Sequence, residues 1–520
     1  MAAFESAVAS LPSHLARYVA EQDYSAYTPR DQAVWRHILR RLTAHLKDKA
    51  HPSYLSGLAA AGIGTERIPT MVEMNACLGQ LGWSAVPVRG FIPPAVFTEL
   101  QSRGVLAIAA DIRSHEHVDY TPAPDIVHES AGHAPILRDA RYAEYLKRCG
   151  VAGFKAIASR EDRALHDAVR GLSVVKEDPE AGPAETATAE ERLAAALAAR
   201  TWTSESARAS RLYWWTAEYG LVGSLDRPKL YGAGLLSSLK EAGHCLTDAV
   251  ERLPLSLACV DQDFDITRMQ PRLFVARDFE HLFEVLEQFE ATLAWKRGGA
   301  YGLEQAERAG TVNHLLLDDG LELTGTAVRH WQAGDVLLAR LDGPAMVSRR
   351  GRSLGGAPWQ GAALALVGPL PPEPEGIGPF AFTLPGGLRL AGTRLAGHRV
   401  EALRASLDGR ALDLPDSALL VSSRALPGVA GGPADPESWD AWFGEREPAV
   451  ADEAEQRARR AKAAALPPRL GHLYLEVAAM RRAGRIDHGR LGAIRAELEQ
   501  FPEDWLLREE VGELLAPDAP

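Results

Sequence analysis

Residues 120–136 read YTPAPDIVHESAGHAPI. Two histidines, His128 and His133, stand five residues apart with Glu129 between them. Pro122 and Pro124 fence the pair on one side and Pro135 on the other. Imidazole nitrogens and carboxylate oxygens are common ligands of divalent metals. The familiar pair lies at i and i+4, on one helix face. At i and i+5 the two rings stand about 140° apart on a regular helix, so a shared ion requires a helix start or a local distortion. The sequence offers both. The prolines bias the chain away from helix before the site, Asp125 can cap the turn after it, and Gly132 removes a side chain beside His133. Periodicity alone does not show that the pair converges.

A third ligand has to come from elsewhere. In RLYWWTAEYGL (211–221), Glu218 sits in an aromatic helical segment, with Trp214 four residues back on nearly the same side. A carboxylate in apolar surroundings needs a partner, and a metal would supply one.

The remaining composition bounds the class. A chain of 520 residues with 46% hydrophobic content can bury a large core, in two to four domains by length. A net charge of −12 argues against binding nucleic acid by phosphate neutralisation. Cys77, Cys149, Cys245 and Cys259 are scattered and form no CxxC, which suits a reducing cytoplasm. No apolar run reaches the roughly 18–20 residues of a membrane span, and the N-terminus lacks the pattern of a secretory signal.

Residues 1–75 read as helical, with Ala33, Val34, Ile38, Leu39, Leu42 and Leu46 near a 3.6 period. Residues 159–202 turn Ala- and Glu-rich, and their DPEAGPAETATAE patch (178–190) lacks an apolar period. They are expected to form an exposed, partly mobile helical insertion or flap. From 203 to about 300 the chain is strongly helical. After Gly310 short apolar runs are cut by DDG, LDGP, PGG and LDGR turns, the signature of β-hairpins in a small barrel or sandwich. Helices return from Pro436.

RSHEHVDYTPAPDIVHESAGHAPIL (113–137), YWWTAEYGL (213–221) and LYGAGLLSSLKE (230–241) together resemble the catalytic domain of the tetrahydropterin-dependent aromatic amino acid hydroxylases, closest to the phenylalanine-hydroxylating branch. The blocks occur in the family's order, and the likeness extends more weakly from about residue 20 to about 295. It implies a mainly α catalytic domain with a few short strands over 1–308, carrying the 159–202 insertion. A β-rich barrel- or sandwich-like accessory domain is expected over 311–430, and a helical segment over 436–520. The 1–308 unit is expected to fold and work without these C-terminal parts.

The resemblance also implies Fe(II) held by His128, His133 and Glu218, a two-histidine, one-carboxylate triad that leaves coordination positions open. Arg113 matches the residue that clamps the substrate carboxylate, for which a planar fork is suited. Thr121 and Ser237 match substrate-site residues, Pro124 and Trp214 match ring contacts, and Gly234 lies in the pocket-forming turn. Gly90, Phe91, Ile92 and Phe97 match the pterin loop, with stacking on Phe97, and Glu129 matches a glutamate near the pterin. The implied reaction turns phenylalanine into tyrosine, one atom of O2 going to the ring and the other to the pterin. Trp214 is the choice of phenylalanine and tyrosine hydroxylases, where tryptophan hydroxylases usually carry Phe.

Two departures stand out. HESAGH replaces the family's HELLGH, and Pro93 and Pro94 replace small polar residues of the pterin loop. The competing functions are hydroxylation of tyrosine or tryptophan, a zinc hydrolase with Glu129 as base, and a pterin or amino-acid sensor. Oligomerisation through the C-terminal region is a further expectation.

Overall fold

The computed structural model describes residues 2–90, 92–116, 118–119, 124–178, 181–266, 268–370, 376–443 and 466–516. Its first half is a set of capped amphipathic helices around one core. The helix Pro29–Leu46 begins at a capping box, in which Thr28 accepts the Asp31 N–H and Asp31 accepts the Thr28 N–H, with Pro29 opening the first turn. Val34, Ile38, Leu42 and Leu46 recur every fourth residue and are fully buried. The same device starts Met71–Leu78 at Thr70 and Arg160–Glu177 at Ser159. The first two of these helices share one core that runs from Ala33 to Leu514. Two small sheets flank it. Ser84–Val88 pairs in parallel with Val105–Ala109, and a four-stranded sheet carries Leu221–Gly223 beside Arg272–Ala276. No helix among the described residues is long and apolar enough to cross a membrane.

The β-rich region is an eleven-stranded sheet. Its strand Ala363–Val367 is buried at every residue, pairing antiparallel with Val336–Arg349 and parallel with Ser417–Ser423. Such an unbroken apolar run belongs to a strand covered on both faces. On one face Ala363, Ala365, Leu337 and Leu341 pack with Ala294, Leu303 and Ala306, and with Ile157. On the other, Leu364, Leu366 and Leu338 pack with Phe380, Leu390 and Leu403. A Cβ on Gly386 would lie 2.5 Å from the Ala333 carbonyl carbon, although their strands are far apart in the sheet order. This half of the sheet therefore curls round its own core.

Packing crosses both places where the composition changes. Leu303 and Ala306, on the helix Gly299–Ala309, belong to the core of the sheet. The helices Pro468–Ala483, His488–Glu497 and Trp505–Leu515 bury Leu473, Tyr474, Leu506 and Val511 in the same core as Leu39. There Arg36 donates to Glu510 through Nε (2.9 Å) and Nη2 (3.1 Å), both side chains buried. Within the insertion, Arg160–Glu177 and Pro183–Ala198 pack on each other, and the second helix is buried only at Ala189. The patch read as lacking a period is helical from Pro183. Alanine needs no apolar period to be helical, and the Glu185 carboxylate accepts the Gly182 N–H at the helix start.

Candidate active site

Val127–His133 is a π-helical turn. Its i→i+5 hydrogen bonding brings residues five apart onto one side, which is the distortion the His128–His133 spacing demands. Asp125 caps it, Oδ1 accepting the His128 N–H at 3.0 Å. A second π turn, Trp214–Glu218, presents Glu218 at its last residue, closed by the Tyr219 N–H to Trp214 carbonyl bond of 2.8 Å. Two glycines let these turns meet a third segment. A Cβ on Gly132 would lie 2.7 Å from the Ala233 carbonyl oxygen, and one on Gly232 would lie 2.4 Å from that of Glu218.

The result is a cluster of His128, His133 and Glu218 with ligand atoms within 4.8 Å of one another. Glu218 Oε2 is 3.3 Å from His128 Nε2, and Oε1 is 3.1 Å from His133 Nε2. The Ser237 hydroxyl donates to the Ala233 carbonyl (2.7 Å) and so accepts from His128 Nδ1 (3.0 Å), which turns Nε2 toward Glu218. Both nitrogens of His133 are buried without a hydrogen bond, Nε2 included despite its nearness to Glu218. A buried imidazole lone pair needs a hydrogen-bond donor or a cation, and a cation where the three side chains point would serve; the ligand set fits a divalent metal. Burial opposes charge on His128, but Glu218 outweighs it, with Glu129 and Asp125 behind, and raises the pKa to about 9. Burial likewise opposes charge on Glu218, but His133 and His128 hold its carboxyl well below the usual range.

The cluster faces a cavity of about 700 Å³. Arg113, Pro124, Glu129, Trp214, Gly234 and Ser237 line it, as do Gly90, Ile92 and Phe97. His133 lies behind the wall, 1% exposed. Phe91 and Thr121 lie outside the described residues. Phe97 meets Tyr213 edge-on at 5.7 Å, and Tyr213 in turn lies 6.3 Å from the His133 ring. Trp214 is held between Phe264 (4.2 Å, 10°) and Tyr219 (4.5 Å, 29°).

Arg113 is already bound along one edge. Its Nε and Nη2 donate to the two Asp125 oxygens at 2.7 and 2.8 Å. The expected carboxylate clamp thus has only the terminal Nη1–Nη2 edge to offer, with Nη1 at 3.4 Å from the Val118 and Ser237 carbonyls. Sequence reasoning used Asp125 only as a cap and missed this pairing, which joins residues 12 apart in sequence. Phe264 and the Ser237–His128 bond were missed as well, and no local pattern announces either.

A family model described as biopterin-dependent aromatic amino acid hydroxylase matches residues 15–165 and 192–303. The chain belongs to this family. Among relatives of these hydroxylases, the phenylalanine-4-hydroxylase of Pseudomonas aeruginosa is 28% identical over 277 residues, covering 53% of this chain and 88% of that protein. That of Mesorhizobium japonicum is 29% identical over 292 residues, covering 54% and 88%. A solved structure of Chromobacterium violaceum phenylalanine hydroxylase with bound oxidised Fe(III) aligns at 26% identity over 54% of this chain and 88% of that one, with a TM-score of 0.42. As a member of the family, the chain is a pterin-dependent aromatic amino acid monooxygenase. The break in the family match, residues 166–191, falls within the helical insertion.

Proposed function

We propose that the protein hydroxylates L-phenylalanine to L-tyrosine using Fe(II), O2 and a tetrahydropterin. The observation that carries this is the convergence of His128, His133 and Glu218 from two π turns at a cavity that Arg113 and Trp214 also line. The phenylalanine-4-hydroxylase relatives support the choice of substrate. The biopterin dependence of the family supports the pterin, and the two-histidine, one-carboxylate donor set supports the iron. Iron and reduced pterin together supply O2 activation, one oxygen atom passing to the ring and the other to the pterin.

The chain's own residues then position the reactants. The terminal edge of Arg113 holds the amino-acid carboxylate, while Asp125 fixes the orientation of the guanidinium. Trp214, stiffened by Phe264 and Tyr219, and Pro124 flank the ring. Thr121 and Gly234 complete the substrate pocket, and Ser237 both borders it and fixes the His128 tautomer. Gly90, Phe91, Ile92 and Phe97 hold the pterin, Phe97 by stacking, with Glu129 as its polar contact. Apolar walls exclude water from the reacting atoms. The four unpaired thiols suit a cytoplasmic protein. We read 311–430 as a barrel-like accessory unit and 436–520 as a helical segment, through which copies can associate.

The test is anaerobic iron loading followed by O2 and tetrahydrobiopterin, with phenylalanine, tyrosine and tryptophan in parallel. Tyrosine formed from phenylalanine, one per pterin oxidised, is expected. His128→Ala, His133→Ala and Glu218→Ala should each lose iron and turnover while keeping the wild-type circular dichroism. Full iron occupancy with normal rates in any of the three would reject the triad, and zinc as the bound metal would reject the reaction.

A further inference from the structure

The cavity continues past the residues that the family model covers. Pro436 and Trp439, outside that match, line it, together with Ser159, Arg163 and His166 at the start of the insertion. Pro436 and Trp439 belong to a strap, residues 431–440, that leaves the last strand of the large sheet. The root of the strap is fixed. A Cβ on Gly431 would lie 2.5 Å from the Ala156 carbonyl oxygen, the Gly432 N–H donates to Val312 O at 3.0 Å, and the Ala434 N–H donates to Thr324 Oγ1 at 3.1 Å. Asp435 accepts the Ser353 N–H at 2.9 Å.

The other end is clasped to the opposite bank. Glu437 accepts the Ser13 N–H at 3.0 Å, and Arg17 pairs with Asp440. Next to them His14 Nε2 meets Glu99 at 2.8 Å, on the helix Pro94–Ser102 that carries Phe97. Tyr18, Ile92 and Phe97 pack on one small core under this bank. The strap is therefore tied to the β-rich region at one end and to the Phe97 bank at the other, with Trp439 on the cavity between the ties.

We propose that Trp439 is a pterin-contacting residue and that the strap is the outer wall of the pterin end of the cavity, so that the accessory region sets how tightly the reduced pterin is held. This rests on reading Gly90–Phe97 as the pterin loop. An indole gives a flat bicyclic ligand a broad apolar face, and a wall held at both ends costs little to order when the ligand enters.

The test uses the full chain under anaerobic conditions, with equilibrium dialysis of tetrahydrobiopterin and, separately, of phenylalanine. Trp439→Ala should weaken pterin binding about tenfold and leave phenylalanine affinity unchanged, with Trp439→Phe recovering most of the loss. Unchanged pterin affinity in a folded Trp439→Ala protein overturns the proposal, as does equal weakening toward both ligands. Asp440→Asn, at a half-exposed position, keeps the question open to refutation if the alanine variant fails to fold. It should speed pterin release several-fold, and the swapped pair Arg17→Asp with Asp440→Arg should restore it. An unchanged release rate counts against the strap. A wild-type protein that binds no pterin overturns the hydroxylase reading itself, and this proposal with it.

Discussion

Arg113 and Asp125 carry a sharp expectation. Arg113 is 6% and Asp125 3% exposed, and the aspartate also accepts the Arg113 and His128 backbone N–H groups at 3.0 Å each. Asp125→Asn replaces one acceptor oxygen with a donor and leaves the guanidinium buried without a counter-charge. Losing one partner of a buried pair typically costs about 3–5 kcal/mol. Asp125→Asn should therefore lower the urea midpoint by that equivalent and raise the KM for phenylalanine, and a variant as stable as wild type would show that the pair is not needed. The cluster of His128, His133 and Glu218 was legible through the family resemblance, which named the three together where spacing alone left their convergence open. The Arg113–Asp125 edge pairing was not, since a residue pair 12 apart in sequence is brought together by the fold and no periodic pattern marks it.

Among the elements, the two π turns explain what spacing could only pose. His128 and His133 five apart signalled a distortion, but not that a matching turn would present Glu218. The Ala-rich helix Pro183–Ala198, expected as part of a helical insertion, forms without an apolar stripe because alanine is helical without one. A different element junction is open to a pH measurement. Glu205, at the start of the helix Glu205–Tyr213, accepts the Ile157 N–H at 3.1 Å and the Ala294 N–H at 2.6 Å. Burial raises its pKa from the usual 4.5 to about 7, against those two bonds and the nearby Arg208 and Arg297. The folded state thus keeps a proton that the unfolded chain releases near 4.5. The contribution of this group to stability is greatest below about pH 4.5, falls as the pH rises, and is level again above about pH 7. Glu205→Gln cannot titrate, so the excess of the wild-type melting temperature over that of the variant should shrink between pH 5 and 7. A constant difference would mean that Glu205 is ionised throughout.

At the scale of the whole molecule, the helical half, the hairpin-rich stretch after Gly310 and the returning helices were all visible as changes of period and turn composition. Which faces they bury was not, because an apolar stripe specifies that a helix has a partner and not which one. The helix Pro29–Leu46 shares its core with Leu473, Leu506 and Val511, and Leu303 and Ala306 face the large sheet. A protein cut after residue 308 would keep Arg36 but lose Glu510, a cost of about 3–5 kcal/mol, and would bare both apolar faces. Against a typical net stability of about 5–15 kcal/mol, the 1–308 protein is expected to be insoluble or iron-free. A soluble, iron-loaded and active 1–308 protein would show that the cores are separable. The partnership of Arg36 with Glu510 also sets a timetable for biosynthesis. The ribosome delivers the arginine 474 residues ahead of its glutamate, and at about 5–20 residues per second the interval is roughly 24–95 s. Through that time the nascent hydroxylase carries an unfinished catalytic core, and a chaperone that shelters the face of Pro29–Leu46 would act before the final helices emerge.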